Sequence, residues 1–171
     1  MDFIEAKSKF IQTWGVLGSQ WGINKTMAQI HALLFVSENP LSMEEIMEEL
    51  QISRGNTSMN LRSIMEWGIV YKINKPGDRK EYFTAEKDLD ELAVKVARER
   101  SKREIKPVIK TLDEIVSNSS KKDKKTNKES DYFLKQINLI HNFVKKSDMI
   151  LEKVTEKKDN FLTKLIFKFL K

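Results

Sequence analysis

The stretch from Ser42 to Ala85 constrains this chain more than any other, because a series of local signals falls there in a fixed order. Ser42-Met43-Glu44-Glu45 has the form of a capping box. In such a box the serine hydroxyl takes a free backbone N–H and the glutamate three residues on reaches back to the cap. Met43, Ile46, Met47 and Leu50 follow as the apolar stripe of a short helix. Gln51-Ile52 is a tight turn, and Ser53 caps a second helix from Arg54 to Trp67, which Gly68 stops. The hydrophobic period then changes. Ile69 to Ile73 reads as a strand, Lys75 to Lys80 as a turn centred on Pro76-Gly77, and Glu81 to Ala85 as the returning strand. Two short helices around a tight turn, followed by a β-hairpin, predict a winged helix-turn-helix.

The second helix of the pair divides into two faces. Thr57, Leu61 and Ile64 recur at helical spacing and face the core. Arg54, Asn56, Ser58, Met59 and Arg62 then point outward. These side chains suit a major groove: arginine pairs with guanine O6 and N7, asparagine with adenine N6 and N7, serine with base or phosphate. The Ser53 cap leaves helix N-terminal N–H groups able to meet a phosphate. Lys72, Lys75, Arg79 and Lys80 crowd around the hairpin, where a basic tip enters a minor groove or straddles phosphates. Asp78 is assigned to orienting Arg79 or the turn backbone. The competing reading is that caps and a polar face are ordinary for any helix pair, and that the lysines only solvate the hairpin.

The rest of the chain reads as helix. Asp2 to about Gln20 is amphipathic, with Phe3, Phe10, Trp14 and Leu17 near helical spacing. Asn24 caps a second helix that buries Met27, Ile30, Leu33 and Leu34. From Asp88 a long helix runs to Val116, with Pro107 expected to kink or divide it. The polar stretch from about 117 to 130 reads as a loop. Tyr132 to about Lys158 is helical, with Phe133, Ile137, Ile140, Val144 and Leu151 inward. Phe161 to Leu170 carries a last apolar stripe. That stripe also suits a membrane surface, but a partner chain is the occupant assigned to it. The fold class is therefore mainly α with a small β-hairpin. Residues 1–23 form a helix joining a dimer interface, 24–90 the winged helix-turn-helix, and 91–171 a helical dimerisation region.

Charge and composition agree with this. The 171 residues carry a formal charge of +6 and a pI near 9.3, which favours a polyanionic partner. No cysteine is present, so disulfides and thiolate metal sites are excluded, and a cytoplasmic setting fits. The N-terminal MDFIEAKSKF lacks the form of a secretory signal, and no apolar run approaches the length of a membrane span. His31 and His141 are the only histidines, and neither has a sequence neighbour suited to metal or general-base work. Pro76-Gly77-Asp78-Arg79 lacks the lysine and hydroxyl of a phosphate-binding loop. Neither an enzyme nor a bound cofactor is expected.

Three segments together, Ile52 to Arg62, Glu66-Trp67-Gly68-Ile69-Val70 and Lys75-Pro76-Gly77-Asp78-Arg79-Lys80, resemble the GbsR-type regulators, a branch of the MarR-like winged-helix proteins. Trp21-Gly22-Ile23-Asn24 and the segment Arg98 to Pro107 share the likeness, which covers about residues 10 to 116. The resemblance implies a dimeric transcription regulator whose first and last helices form the dimer interface. Some relatives respond to choline and govern osmoprotectant genes. Gln51 departs from the glycine common at that turn, and a left-handed glutamine costs on the order of 1 kcal/mol.

Trp14, Trp21 and Trp67 could form an aromatic cage for a quaternary amine, or simply fill a core. The basic helix with Arg98, Arg100, Lys102, Arg103, Lys106 and Lys110 is interleaved with Glu99 and Glu104, which favours internal ion pairs over phosphate contact. The expected function is a homodimeric regulator, a repressor, on a pseudo-palindromic operator of double-stranded DNA, released by a small-molecule effector. The alternatives are a constitutive DNA-binding protein without effector and a winged-helix module that binds protein instead.

Overall fold

A computed structural model describes residues 1–122 and 128–156. The chain forms two compact units, Met1–Leu92 and Ala93–Lys171.

In the first unit, α1 (Phe3–Gln20) and α2 (Lys25–Val36) lead into a helix-turn-helix. Its helices are α3 (Met43–Leu50) and α4 (Arg54–Glu66). A hairpin of β2 (Val70–Asn74) and β3 (Glu81–Ala85) follows. The predicted winged helix-turn-helix is present, with one addition. Leu41–Ser42 forms a short strand, β1, that pairs antiparallel with β3, so the sheet has three strands in the order β1-β3-β2. A two-residue strand shows no alternation, and Ser42 is at once its last residue and the cap of α3.

The core is aliphatic. Ile30, Leu33 and Leu34 of α2, Ile46 of α3, Leu61 and Ile64 of α4, and Val70 and Phe83 of the hairpin are almost wholly buried. Each such side chain contributes roughly 1.5–3 kcal/mol relative to exposure. Lys87 ties the end of the hairpin to α2: its ammonium donates to the carbonyls of Leu34, Phe35 and Ser37 at 2.6–2.8 Å. Those carbonyls are the ones a helix C-terminus leaves without an internal partner.

The inner face of α1 differs from the expected row. Phe3 is 79% exposed and Leu17 lies at the edge, while Ile11, Gly15 and Gly18 are buried. The cause is close approach of the two helices. A Cβ on Gly18 would stand 2.5 Å from the Ala28 Cβ, and one on Gly15 would stand 2.6 Å from Gln29 Cγ. Glycine carries no apolar signal, so a pattern search selects the neighbouring aromatics instead.

The second unit takes most of α5 (Leu89–Arg100) and continues through a π-helical turn, Ser101–Ile105, into α6 (Lys106–Lys122) and α7 (Lys128–Glu156). Pro107 divides the long helix as expected. Proline lacks an N–H and clashes with the carbonyl four residues before it. The wide turn just ahead of it, closed by the Lys106 N–H on the Ser101 carbonyl, absorbs that misfit. The expected polar loop is a correction at both ends: Ser117 to Lys122 extend α6, and Lys128 to Ser130 open α7. Residues 123–127 of that loop, and the stripe from Phe161 to Leu170, lie outside the described residues.

α6 and α7 run antiparallel. Asp113 accepts from His141 Nε2 and Lys145 Nζ, both at 2.7 Å, and Lys106 meets Glu152 at 3.0 Å. Lys145 chiefly, then His141, holds the Asp113 carboxyl below its ordinary pKa. Ser101 donates to Asp148, and both are buried. Of the apolar residues expected inward on α7, Ile137, Val144 and Leu151 are partly covered, but Phe133 and Ile140 are about half exposed. The covered row runs through His141 and Asp148, which a search for apolar periodicity passes over. No helix among the described residues is long and apolar enough to cross a membrane.

Candidate nucleic-acid interface

α3 and α4 are each closed by hydrogen bonds at their own ends. Ser42 Oγ accepts from the Glu45 N–H at 3.3 Å, and the Ser42 N–H donates to Glu45 Oε2 at 2.7 Å, which completes the capping box. The Ser42 hydrogen bonds, with the positive charges of Lys75 and Lys80 nearby, lower the Glu45 pKa. Gln51 closes α3 in the left-handed region at φ 52°, ψ 47°. The Ile52 N–H returns to the Met47 carbonyl at 3.1 Å and the Gln51 N–H to the Glu48 carbonyl. This is a Schellman closure, which glycine usually occupies. The Gln51 side chain adds a bond of its own, donating from Nε2 to the Glu48 carbonyl at 2.6 Å. Despite the departure from glycine, the turn geometry is therefore the ordinary one, with a hydrogen bond set against the strain.

α4 rests on the core through Thr57, Leu61 and Ile64, as predicted, and also through Asn60, which is 3% exposed. Ser53 Oγ accepts from the Asn56 N–H, and Thr57 Oγ1 donates to the Ser53 carbonyl at 3.0 Å. On the opposite side Arg54, Met59 and Arg62 are exposed, and Asn56 and Ser58 half-buried. Met59 is 60% exposed on an otherwise polar face, where its thioether can meet a thymine methyl. Arg54 is held by Glu44 of α3 at 3.3 Å.

The wing is ordered by its own side chains. Pro76-Gly77 turn the chain, and the Asp78 N–H donates to the Lys75 carbonyl at 3.1 Å. Gly77 has φ 81°, the value a type II turn demands at that position. Asp78 takes the Lys80 N–H at 2.9 Å and the Tyr82 hydroxyl at 2.7 Å. Those two bonds depress the Asp78 carboxyl, and the same contact raises the Tyr82 phenol. Lys75 Nζ lies 3.7 Å over the Tyr82 ring, and Lys72 pairs with Glu81 across the strands. No ion pair engages Arg79 or Lys80 among the described residues, and both are exposed.

All the proposed DNA-facing residues thus lie in one unit, on α4 and the wing. The sequence reading missed four partners: Glu44, Asn60, Glu81 and Tyr82. An asparagine pair at i and i+4 was visible as Asn56 and Asn60. The other partners lie on elements whose register only the fold supplies.

The three tryptophans occupy different places. Trp14 stands between Phe10 and His31, with ring centroids 5.5 and 6.3 Å away, and His31 continues the row to Phe35 at 5.9 Å. Trp21 is 55% exposed at the C-cap of α1, about 10 Å along the axis from Trp14. Trp67 is half-buried at the C-cap of α4. On the helix around the π turn, Arg100 pairs with Glu104, and Arg103 and Lys102 with Glu99. That helix carries the internal ion pairs its spacing predicts. Among the described residues no group of histidine and carboxylate side chains could hold a metal ion.

Residues 21–81, from the end of α1 to the start of β3, match the model of the MarR family. This segment is similar to the winged helix-turn-helix of the MarR family. A solved structure described as a transcriptional regulator superposes with a TM-score of 0.67 over 88% of this chain and 96% of the other, at 14% identity. The shared fold thus extends well beyond the matched segment. No curated protein matches the chain. The MarR family is one of DNA-binding transcription regulators, and the matched segment contains α4 and the basic wing up to Glu81.

Proposed function

We propose that the protein is a homodimeric repressor of the GbsR-type branch. It places α4 in the major groove of each half of a pseudo-palindromic operator, with the wing against the flanking backbone. The observation that carries this reading is the face of α4. Arg54, Asn56, Ser58, Met59 and Arg62 stand outward on a helix fixed by two serine caps and a largely aliphatic core, while Arg79 and Lys80 extend from the wing. Two copies would sit about one helical turn, ~34 Å, apart along the DNA. The second copy is supported by apolar surface within each unit. Phe3 and Ile4 of α1 are more than three-quarters exposed, and Phe143 and Ile150 of α7 are 71% and 63% exposed. Such surface favours burial against a partner chain.

The effector in this reading is a quaternary amine. Trp21, exposed at the end of α1, is the residue most open to one, with Trp14 and Trp67 as the further aromatic candidates. The test selects bound sequences from random DNA at physiological salt, then measures affinity across salt concentrations and the mass of the complex. Palindromic sites, a steep salt dependence and two chains per site are expected. Salt-independent or absent binding overturns the DNA reading, and one chain per site overturns the dimer. Choline titrated into the complex should release DNA and change tryptophan fluorescence. Flat curves remove the amine.

A further inference from the structure

Asn60 is buried, 3% exposed, in the helix proposed to read bases, and its amide does not serve the core alone. Asn60 Nδ2 donates to the Asn56 backbone carbonyl at 2.8 Å and to Asn56 Oδ1 at 2.7 Å. The backbone oxygen fixes the sense of the whole arrangement. A carbonyl accepts and never donates, so the Asn60 atom facing it is the nitrogen. That nitrogen in turn requires the oxygen of the Asn56 amide beside it. The Asn56 NH₂ group is left on the other side of the amide.

We infer that Asn60 is a specificity-determining positioning residue: by holding Asn56 Oδ1, it turns the Asn56 NH₂ donors toward the DNA and disfavours acceptance by the oxygen. This rests on the proposal that α4 lies in the major groove. An asparagine free to turn pairs with adenine through both its atoms, accepting from N6 and donating to N7. One whose oxygen already accepts from behind has a single lone pair left and a fixed orientation, so that pairing is weakened. It favours a base whose groove edge is a carbonyl, which is O6 of guanine, with N7 beside it, or O4 of thymine. The adenine and cytosine edges each offer an amino group there, donor against donor. The preference attributed to Asn56 by residue type alone, adenine, is thereby replaced by a keto base, guanine foremost.

The test compares the base preferences of the full chain and its variants by selection from random DNA, with thermal melting alongside. Asn56→Ala identifies the base pair that Asn56 reads, as the position whose preference disappears. In the unaltered protein that position should carry guanine or thymine. Asn60→Leu removes the restraining amide and should admit adenine there, moving the guanine-to-adenine ratio by roughly tenfold while other positions keep their preference. Asn60→Ser is the companion should the leucine variant melt before assay. Its hydroxyl can still reach the Asn56 carbonyl, as Thr57 reaches that of Ser53, but falls short of the Asn56 side chain. It should shift the same position in the same direction.

Adenine at that position in the unaltered protein, or unchanged preferences in both Asn60 variants, overturns the inference. So does an Asn56→Ala variant that keeps every preference, since Asn56 then reads no base. In each of those cases DNA binding itself survives. Failure of the unaltered protein to bind any DNA overturns the functional reading and this inference together.

Discussion

α4 and the wing reach the protein surface on different supports. α4 stands on a largely aliphatic core, with Leu61 and Ile64 almost wholly buried beneath it and Ile30, Leu33, Leu34 and Ile46 also buried in that core. The hairpin shares that core through Val70 and Phe83, but its tip stands on surface polar contacts: Lys72 with Glu81, Lys75 over Tyr82, and Asp78 with the Lys80 amide and the Tyr82 hydroxyl. A rigid base suits side chains that must meet base edges in one register. A polar, salt-screened base suits a segment that need only meet phosphates. The difference teaches that the number of basic residues misstates the wing's contribution. Two of its cations are already engaged within the protein, and Arg79 and Lys80 are left to carry most of its charge outward.

Acidification should separate the two supports most strongly. His31 of α2 is 5% exposed, set between the Trp14 and Phe35 rings, and its Nε2 has no hydrogen-bond partner among the described residues. Burial, with a smaller contribution from the charge of Lys87, lowers its pKa from 6.5 to about 4. Between those values the unfolded chain binds a proton that the folded chain refuses. Stability from this group is therefore intact above about pH 6.5 and falls as pH drops towards 4. The loss is about 3 kcal/mol. Urea midpoints measured from pH 7 to pH 4 should fall accordingly, and a His31→Leu variant should show a slope shallower by that amount. Equal slopes would break the claim that α2 holds a neutral imidazole buried against Trp14 of α1.

The next largest effect belongs to the reading face itself. Arg62→Ala should cost about 1–3 kcal/mol against the selected operator and relax the preference at one base pair, with little change on random DNA. Uniform loss on all sequences would make Arg62 a phosphate contact, and α4 would then resemble the wing. Arg54 should behave differently, because binding must first draw it from Glu44. An exposed pair of that kind is worth about 0–1 kcal/mol, so Glu44→Gln should tighten DNA binding by no more than that.

These expectations show where residue patterns suffice. The capping box at Ser42, the Ser53 cap, the buried row of α4 and the strand Glu81–Ala85 all follow from local chemistry, and the fold keeps them. The patterns fail where packing is made by something other than an apolar side chain. Gly15 and Gly18 bring α1 against α2, and His141 and Asp148 lie in the covered row of α7. They fail again where a cation's partner is distant in sequence, as with Glu44 for Arg54 and Leu34 for Lys87. Candidate interface residues were legible because their types and helical phase were. What their side chains already hold was not, since that depends on the register between elements.

The Gln51 turn links α4 to α3 and tests how firmly the base of α4 is set. Gln51→Ala keeps the left-handed strain but loses the bond to the Glu48 carbonyl, and should lower stability by about 1 kcal/mol. Gln51→Gly relieves strain of about the same size and should come out close to neutral. Denaturant midpoints decide it. A glycine variant clearly more stable than the parent would mean the glutamine bond contributes nothing.

The smallest effect should come from the wing, and it is the sharpest check on the comparison. Each phosphate contact contributes about 0.9 to the slope of log affinity against log salt. Arg79→Ala or Lys80→Ala should each lower the slope by nearly that amount, uniformly across sequences. Lys72→Ala should change it by much less, because the Lys72 charge is already neutralised by Glu81. Glu81→Gln should then raise the slope, since it releases Lys72 to the backbone. If Lys72 and Arg79 prove equal, the ion pair opens at no cost on DNA. The wing would then act through its total charge, whatever its internal contacts.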